Sequence, residues 1–453
     1  MIGSKWVFRV KENADVSINK YKAHLVAKGF HQIHGFDFHE TFCPVIKPVT
    51  IRVILTIVVS HRWKLFHLVV NNVFLNGILD ETIYMQQQPA FEASDKSLVC
   101  KRNKALYGLK QAPRQWFTRL QHSLQQLGFV SSSWDTSLFI YQHNSDVIYL
   151  LVYVDDILVS GSSLSLIETI TAKLHANFSL KQLGQMDYFL GLEVKHLMDD
   201  SILMTQTKYI RDLLHKINMA EAHPISSPMV SNCKLSKQGA DLFSDPTLYR
   251  YVVGALQYAT LTRPKIAFAV NKVCQFMANP LDSHWAVVNR ILRYLKGTMF
   301  HGLHFQPAVL SRLVPLTAFC DADWAFDVDD RRSTSGKAIF LGPNLIPWWS
   351  HKQQVIARSS TEAEFRSLAQ TSAELTWITR LLTEFKVSFQ TPQLLCDNQS
   401  AVAIPHNPIF HNHTKHMEID VFFVREKILA QQLTVSHVPA LDQWADVFTK
   451  ALS

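Results

Sequence analysis

Residues 147–159 read VIYLLVYVDDILV. Two adjacent carboxylates, Asp155 and Asp156, interrupt a run that is otherwise apolar and rich in β-branched and aromatic residues. Runs of this length and composition become buried strands. A buried carboxylate without a partner is strongly disfavoured. A tight hairpin reconciles the two tendencies, because it keeps the flanks in a sheet and carries both acids to a tip that can meet a divalent cation. The other reading is a surface hairpin with a chance acid pair.

The rest of the chain must decide between them. Its 453 residues suffice for two or three domains, and 47% hydrophobic content against 18% charged allows each a real core. A net charge of +8 and a pI near 9.0 suit a polyanionic partner without identifying one. None of the six cysteines (Cys43, Cys100, Cys233, Cys274, Cys320, Cys396) forms a C-x-x-C pair. Neither a zinc ribbon nor a disulfide framework is indicated, and a reducing intracellular compartment fits, whether a cytoplasmic particle or the nucleus. No apolar run reaches membrane-span length, so no membrane association is expected. The first ten residues, MIGSKWVFRV, lack a signal-peptide core and read as a strand that starts abruptly, as in a piece of something longer.

Residues 5–10 and 21–28 alternate like paired strands, with Asn13, Ala14 and Asp15 as their turn. Residues 50–60 fit helix or strand, and 65–75 read as a strand. Residues 113–128 form an amphipathic helix with Trp116, Leu120, Leu124 and Leu127 on one stripe. Further helices are expected over 165–178 and 205–219. The Pro/Ser-rich stretch 223–228 marks a domain boundary. Residues 245–300 are helical, with Trp285, Val288, Leu292 and Leu295 as the buried stripe. Arg290 and Arg293 fall off that stripe, onto a solvated face or against a phosphate backbone. Residues 313–453 alternate strand and helix in an α/β pattern.

Several long motifs occur in order: YKAHLVAKGFH at 21–31, ETFCPV at 40–45, KALYGLKQAPR at 104–114, the Tyr-Val-Asp-Asp box at 153–156 and YFLGLE at 188–193. Together they resemble copia-type retrotransposon polyproteins over the first 220 residues. The Tyr-Val-Asp-Asp box is similar to the palm signature of reverse transcriptases. The resemblance implies polymerisation of dNTPs onto a DNA primer along an RNA template. Asp155 and Asp156 then share two magnesium ions with a third acid, manganese being a substitute. Two metals activate the attacking oxygen and stabilise the leaving pyrophosphate. In the family that third acid lies in LDVNNAF. This chain has LVVNNVF at 68–74, with Val69 in the aspartate position. Phe74 falls where the family places the aromatic gate against a ribose 2′-hydroxyl. Valine cannot coordinate a cation, so impaired polymerisation is expected. Asn71, two residues on, is neutral. His24 and Val73 also depart from the family pattern, which has arginine and alanine there. Lys22, Lys28, Tyr153 and the segment 108–111, including Gln111, are the expected nucleotide or template contacts. Each also has an ordinary turn or surface reading.

The C-terminal third carries Asp321 at a strand end, Glu364 at a helix start, Asp397 at a second strand end and Asp446 near a final helix. Singly, such acids are caps or surface groups. In this order they resemble the ribonuclease H constellation in its copia-type form. The resemblance implies two-metal hydrolysis of RNA within an RNA–DNA hybrid, with these four residues as magnesium ligands. Asp323 competes with Asp321 for the first position. His437 is an assisting group or a packing residue. Phe326 and Lys386 stand where the family has glycine, which costs stability if φ is positive there. His411, Lys415, His416 and Asp420 belong to the same family motif. His406, His411, His413 and His416, with Cys396, do not have the spacing of a standard zinc module.

The expected fold is multidomain, α+β and α/β. It comprises reverse transcriptase fingers and palm over 1–222, a helical connection over 223–312 and a ribonuclease H-like α/β domain over 313–453. The related polyproteins also carry capsid, protease and integrase segments, so a truncated copy is expected. A non-catalytic nucleic-acid-binding remnant of a retroelement is the alternative function. Oligomeric state is not legible.

Overall fold

The computed structural model describes residues 1–12, 17–231, 233–239, 241–309, 313–407 and 417–451. The expected turn at 13–15 and the residues His411, His413, Lys415 and His416 lie outside these. The chain packs as two compact units, one of residues 1–47 and 63–186, the other of 48–62 and 187–453.

The intervening segment is helix α1, Pro48–His61, which belongs to the second unit. Its residues 50–59 are all buried, which explains why periodicity left helix and strand open: a helix that is apolar all round has no stripe. Its one buried cation, Arg52, donates to the Ile346 carbonyl (2.8 Å) and the Leu261 carbonyl (3.0 Å) and stacks on Trp348.

In the first unit β1 (Ser4–Glu12) and β2 (Ile18–Ala27) form the expected antiparallel ribbon. The expected strand over 65–75 is shorter. Strand β3 covers Leu65–Val70, then Asn72 turns left-handed (φ 48°) and a 3-10 turn follows over Val73–Asn76. Asn tolerates that conformation, so the Asn-Asn pair ends the strand. Strands β4 (Ile78–Met85) and β5 (Cys100–Lys104) make a second ribbon. Helix α2 (Ala112–Gln126) precedes the short β6 (Val130–Ser131), β7 (Leu138–His143), β8 (Asp146–Tyr153), β9 (Asp156–Gly161), helix α3 (Leu164–Asn177) and β10 (Leu180–Gln185). The sheet order is β10-β3-β9-β8-β7-β6. Trp116, Leu120 and Leu124 of α2 and Ile167, Ile170 and Leu174 of α3 bury against it.

The second unit continues with β11 (Tyr188–Phe189), β12 (Leu192–His196), β13 (Ile202–Thr205) and α4 (Thr207–Lys216). Helices α5 (Pro246–Ala259), α6 (Ala267–Cys274) and α7 (Asp282–Gly297) lead to β14 (Gly302–Phe305). Strand β14 pairs with β13, joining 202–205 to 302–305. The junctions expected at 222/223 and 312/313 therefore both fall inside one packed unit. The buried stripe of α7 includes Val288, Leu292 and Leu295 as expected. Arg290 and Arg293 are half-buried: Arg290 donates to Ser227 Oγ (2.9 Å) and Arg293 to the His223 carbonyl (2.7 Å), pinning the 223–228 segment.

The C-terminal part opens with three antiparallel strands, β15 (Leu316–Ala322), β16 (Thr334–Leu341) and β17 (Asn344–Lys352), rather than a simple alternation. Helix α8 (Ser360–Glu384), β18 (Gln393–Cys396), α9 (Gln399–Ala403), α10 (Glu418–Leu429) and β19 (Thr434–His437) follow. The sheet order is β17-β16-β15-β18-β19, with β15, β18 and β19 parallel. This is the α/β layer expected for the region.

Candidate metal centres

The acid pair sits at the tip of the β8–β9 hairpin. Tyr153 pairs with Asp156, which leaves Val154 and Asp155 as a two-residue turn. Val154 has φ 54°, a genuine outlier for a β-branched residue. Two bonds hold it there: Trp116 Nε1 donates to the Val154 carbonyl (2.7 Å), and Val70 N donates to the Asp155 carbonyl (2.9 Å). Val69 lies directly across from Asp156 in the β3–β9 register. Val69, expected at the third-acid position, is thus beside the tip, and its side chain is apolar. Asn71 turns elsewhere, its amide N donating to the Ser179 carbonyl (2.8 Å) and its side chain reaching Ser179.

Asp156 has instead found His67, buried on β3, whose Nε2 is 2.7 Å from Asp156 Oδ1. Half-burial pushes the Asp155 carboxyl above its ordinary range and Asp156 adds to this, while Lys22 and His67 pull it back. Phe74 is half-buried with its ring against Tyr107, centroids 4.6 Å apart, and Tyr107 also meets His24. Burial, then the Asp155 charge, raises the Tyr107 phenol. Lys28 is half-buried at the start of the 3-10 turn Gly29–His31. Gln111 departs from expectation. It is fully buried, accepts from Gln32 Nε2 (2.9 Å) and donates to the Asp37 carbonyl (2.8 Å). Both ends of the amide are used inside the unit, so it braces the 32–37 segment rather than facing a ligand.

In the second unit the sheet brings the other acids together. Asp321 and Asp397 stand at neighbouring positions, because β15 and β18 run parallel with Cys320 opposite Cys396. A 3-10 turn over Trp444–Phe448 presents Asp446. Donor oxygens of Asp321, Asp397 and Asp446 lie within 4.8 Å of one another. Donor atoms of Glu364, Cys396 and Asp397 likewise lie within 4.8 Å of one another, so the two groups share Asp397. Glu364 lies in the first turns of α8, whose N-cap Ser359 accepts from Glu362 N (3.1 Å). Burial pushes Asp321 up to about 6 and Glu364 up to about 11, with the neighbouring acids adding to both. Lys450 Nζ meets Asp446 Oδ1 at 2.6 Å and Asp321 Oδ2 at 3.9 Å, and Thr449 Oγ1 donates to Asp321. Asp397 Oδ1 is buried with no hydrogen-bond partner, an orphan acceptor on a residue common to both groups. Hard oxygen donors, excess negative charge and an orphan acceptor together fit a divalent cation.

The rival acid Asp323 accepts from Thr334 N at 2.7 Å through Oδ1, its Oδ2 is buried without a partner, and it belongs to neither donor group. A ring nitrogen of His437 is 3.1 Å from the Asp397 carbonyl, beside the cluster and outside it. Positive φ falls on Ala325 (52°), not on Phe326, so the glycine argument applies one residue earlier than expected; Lys386 does have φ 57°. The first unit contributes no three-donor group among the described residues. His67, Trp116 and Tyr107 were not legible as site residues. The Cys320–Cys396 pairing became visible only once the strand register was known.

Residues 1–231 match the family described as reverse transcriptase (RNA-dependent DNA polymerase). The chain is 45% identical, over its whole length, to a retrovirus-related Pol polyprotein from transposon RE1 of Arabidopsis thaliana, of which it spans 31%. It is 30% identical to a putative transposon Ty5-1 protein of Saccharomyces cerevisiae, over 68% of this chain and 99% of that protein. Among solved structures, a foamy viral protease-reverse transcriptase in complex with dsDNA aligns over 96% of this chain and 77% of that one, at TM-score 0.48 and 10% identity. The chain belongs to the reverse transcriptase family, in the form found in copia-type retrotransposon Pol polyproteins.

Proposed function

We propose that this chain is the reverse transcriptase and ribonuclease H portion of a retroelement polyprotein, and that its working chemistry is hydrolysis of RNA in RNA–DNA hybrids. The carrying observation is the acid cluster: Asp321, Asp397 and Asp446 converge within 4.8 Å, and Asp397 presents a buried, unpartnered oxygen. Asp321, Glu364, Asp397 and Asp446 would hold two magnesium ions, or manganese in their place. Bound there, the cations supply activation of water and neutralise charge on the departing 3′-oxygen. The protein's own part is to fix the carboxylates on strand ends and a helix start, where they cannot relax away from one another. Thr449 orients Asp321 by donating to it. Lys450 lends positive charge beside Asp446. The hybrid is read by backbone shape and 2′-hydroxyls.

Primer extension with an RNA template and dNTPs is the ancestral activity of the first unit, and we read it as impaired. Val69 faces Asp156, whose carboxylate is engaged by His67 instead of a third acid. Lys22, near Asp155, remains available to a triphosphate. The test is the purified chain with magnesium or manganese on a primer–template and on an RNA–DNA hybrid. Hybrid cleavage with little primer extension is expected. Extension equal to that of Val69→Asp would overturn the impaired half, and absence of cleavage the active half. One observation favours a nucleic-acid-binding remnant instead: Lys450 already neutralises part of the cluster. Salt-sensitive hybrid binding without either activity would select that reading.

A further inference from the structure

The two three-donor groups that share Asp397 differ in chemical hardness. Asp321, Asp397 and Asp446 offer only oxygen, whereas Glu364, Cys396 and Asp397 include a thiol. Magnesium takes oxygen ligands and leaves a thiol unused. Softer divalent cations select sulfur. The Cys396 thiol donates to Glu364 Oε2 at 3.7 Å, so a cation there would replace that proton between the same two atoms. A tetrahedral zinc with ordinary Zn–S and Zn–O bonds places its sulfur and oxygen ligands about 3.6 Å apart. The donors are therefore already spaced for such an ion. Cys396 is fully buried, so its sulfur is held in place. Cys320 stands directly opposite on the parallel strand and is likewise fully buried.

We propose that Glu364, Cys396 and Asp397 form a binding site for a thiophilic divalent cation such as zinc, overlapping the magnesium centre through Asp397. The inference rests on reading the acid cluster as a metal centre, and deepens it. Coordination exchanges the Cys396 S–H bond for a sulfur–metal bond and releases the proton to solvent, with no change of oxidation state. Zinc seated there engages Glu364 and Asp397 in its own geometry, so it depresses magnesium-dependent cleavage.

The experiment uses the full chain with Cys43, Cys100, Cys233 and Cys274 replaced by serine, titrated with Co2+ and with Cd2+. A near-ultraviolet thiolate-to-metal charge-transfer band, saturating at one ion, is expected. Cys396→Ser should remove the band and weaken competing zinc at least about 10-fold. Cys396→Ala serves where serine unfolds the chain, as judged by circular dichroism. No band, or a band that survives loss of Cys396, overturns the site. Hybrid cleavage with magnesium is measured on the same preparations. Charge transfer without cleavage removes the ribonuclease reading and keeps the soft-cation site, whereas cleavage that zinc does not depress, without charge transfer, removes the site alone.

Discussion

The chain carries two sets of strand-end aspartates, and their charge is compensated in different ways. At the hairpin tip the acids are two, and the protein answers them from within: His67 meets Asp156 and Lys22 attenuates Asp155. In the C-terminal cluster Asp321, Glu364, Asp397 and Asp446 converge, and Lys450 is the cation that touches them among the described residues. Burial raises Asp321 to about 6 and Glu364 to about 11, so at neutral pH the neutral form is favoured at Glu364. At the tip Val69 lies across from Asp156 and protein groups meet both acids, whereas in the C-terminal cluster four acids face one touching cation among the described residues.

The largest expected effects invert that difference. Val69→Asp places a carboxylate across from Asp156 and should raise primer extension with magnesium by at least about 100-fold, about 2.7 kcal/mol of barrier. Steady-state extension rates check it. Asp397→Asn removes the residue common to both donor groups and should lower hybrid cleavage by at least about 100-fold, while leaving primer extension by the Val69→Asp chain intact. Loss of both activities together would dissolve the distinction between the centres.

A smaller effect concerns metal and pH. The folded-state value of Asp321, about 6, lies above its ordinary 3.8, and that of Glu364, about 11, above 4.5. The folded metal-free protein thus holds more protons than the unfolded chain above pH 4, and its stability falls as pH rises through that window. The contribution is fully present below pH 4 and lost for Asp321 as pH passes 6. Magnesium must displace those protons, so its affinity rises with pH. At 100-fold excess over its dissociation constant a ligand stabilises by about 2.7 kcal/mol. Thermal unfolding should show a larger magnesium-induced rise in Tm at pH 8 than at pH 5. An equal rise at both would remove the acid cluster as the site of binding.

The hairpin tip predicts the opposite sensitivity, because its partner is a side chain. His67→Leu strands Asp156 and should destabilise the first unit by about 1–2 kcal/mol, with no dependence on magnesium. Denaturant unfolding with and without the ion measures this. Stabilisation of that variant by magnesium would show that the tip retains a metal site which His67 only masks.

The sequence made the hairpin, α2 and the four C-terminal acids legible because each is a local pattern: strand propensity broken by charge, helical periodicity, an acid at a strand end. What escaped depended on register or on distant pairing. His67 became a site residue only through the β3–β9 alignment, and Gln111 left the site because Gln32, 79 positions away, claimed its side chain. The boundary at 222/223 misled because a Pro/Ser-rich stretch breaks local structure. It does not stop β13 from pairing with β14 beyond four helices. Helix α1 was ambiguous for a similar reason, since burial on every side erases the period that would have named it.

Backbone strain draws the last contrast. Val154, at the tip, and Lys386, after α8, both hold φ near 55°. At Lys386 the surroundings are a helix terminus in Schellman form: Val387 N donates to the Leu382 carbonyl and Lys386 N to the Thr383 carbonyl, both at 3.0 Å. Glycine fits that position without a Cβ penalty, so Lys386→Gly should stabilise the chain by about 1 kcal/mol and change neither activity. Val154→Gly relieves comparable strain, but the carbonyl of that residue is held by Trp116 and its turn aims Asp155. Strain that serves geometry is lost together with the geometry. In the Val69→Asp background, Val154→Gly should therefore raise stability yet lower primer extension, and a variant that gained both would make Val154 ordinary drift rather than part of the hairpin's aim.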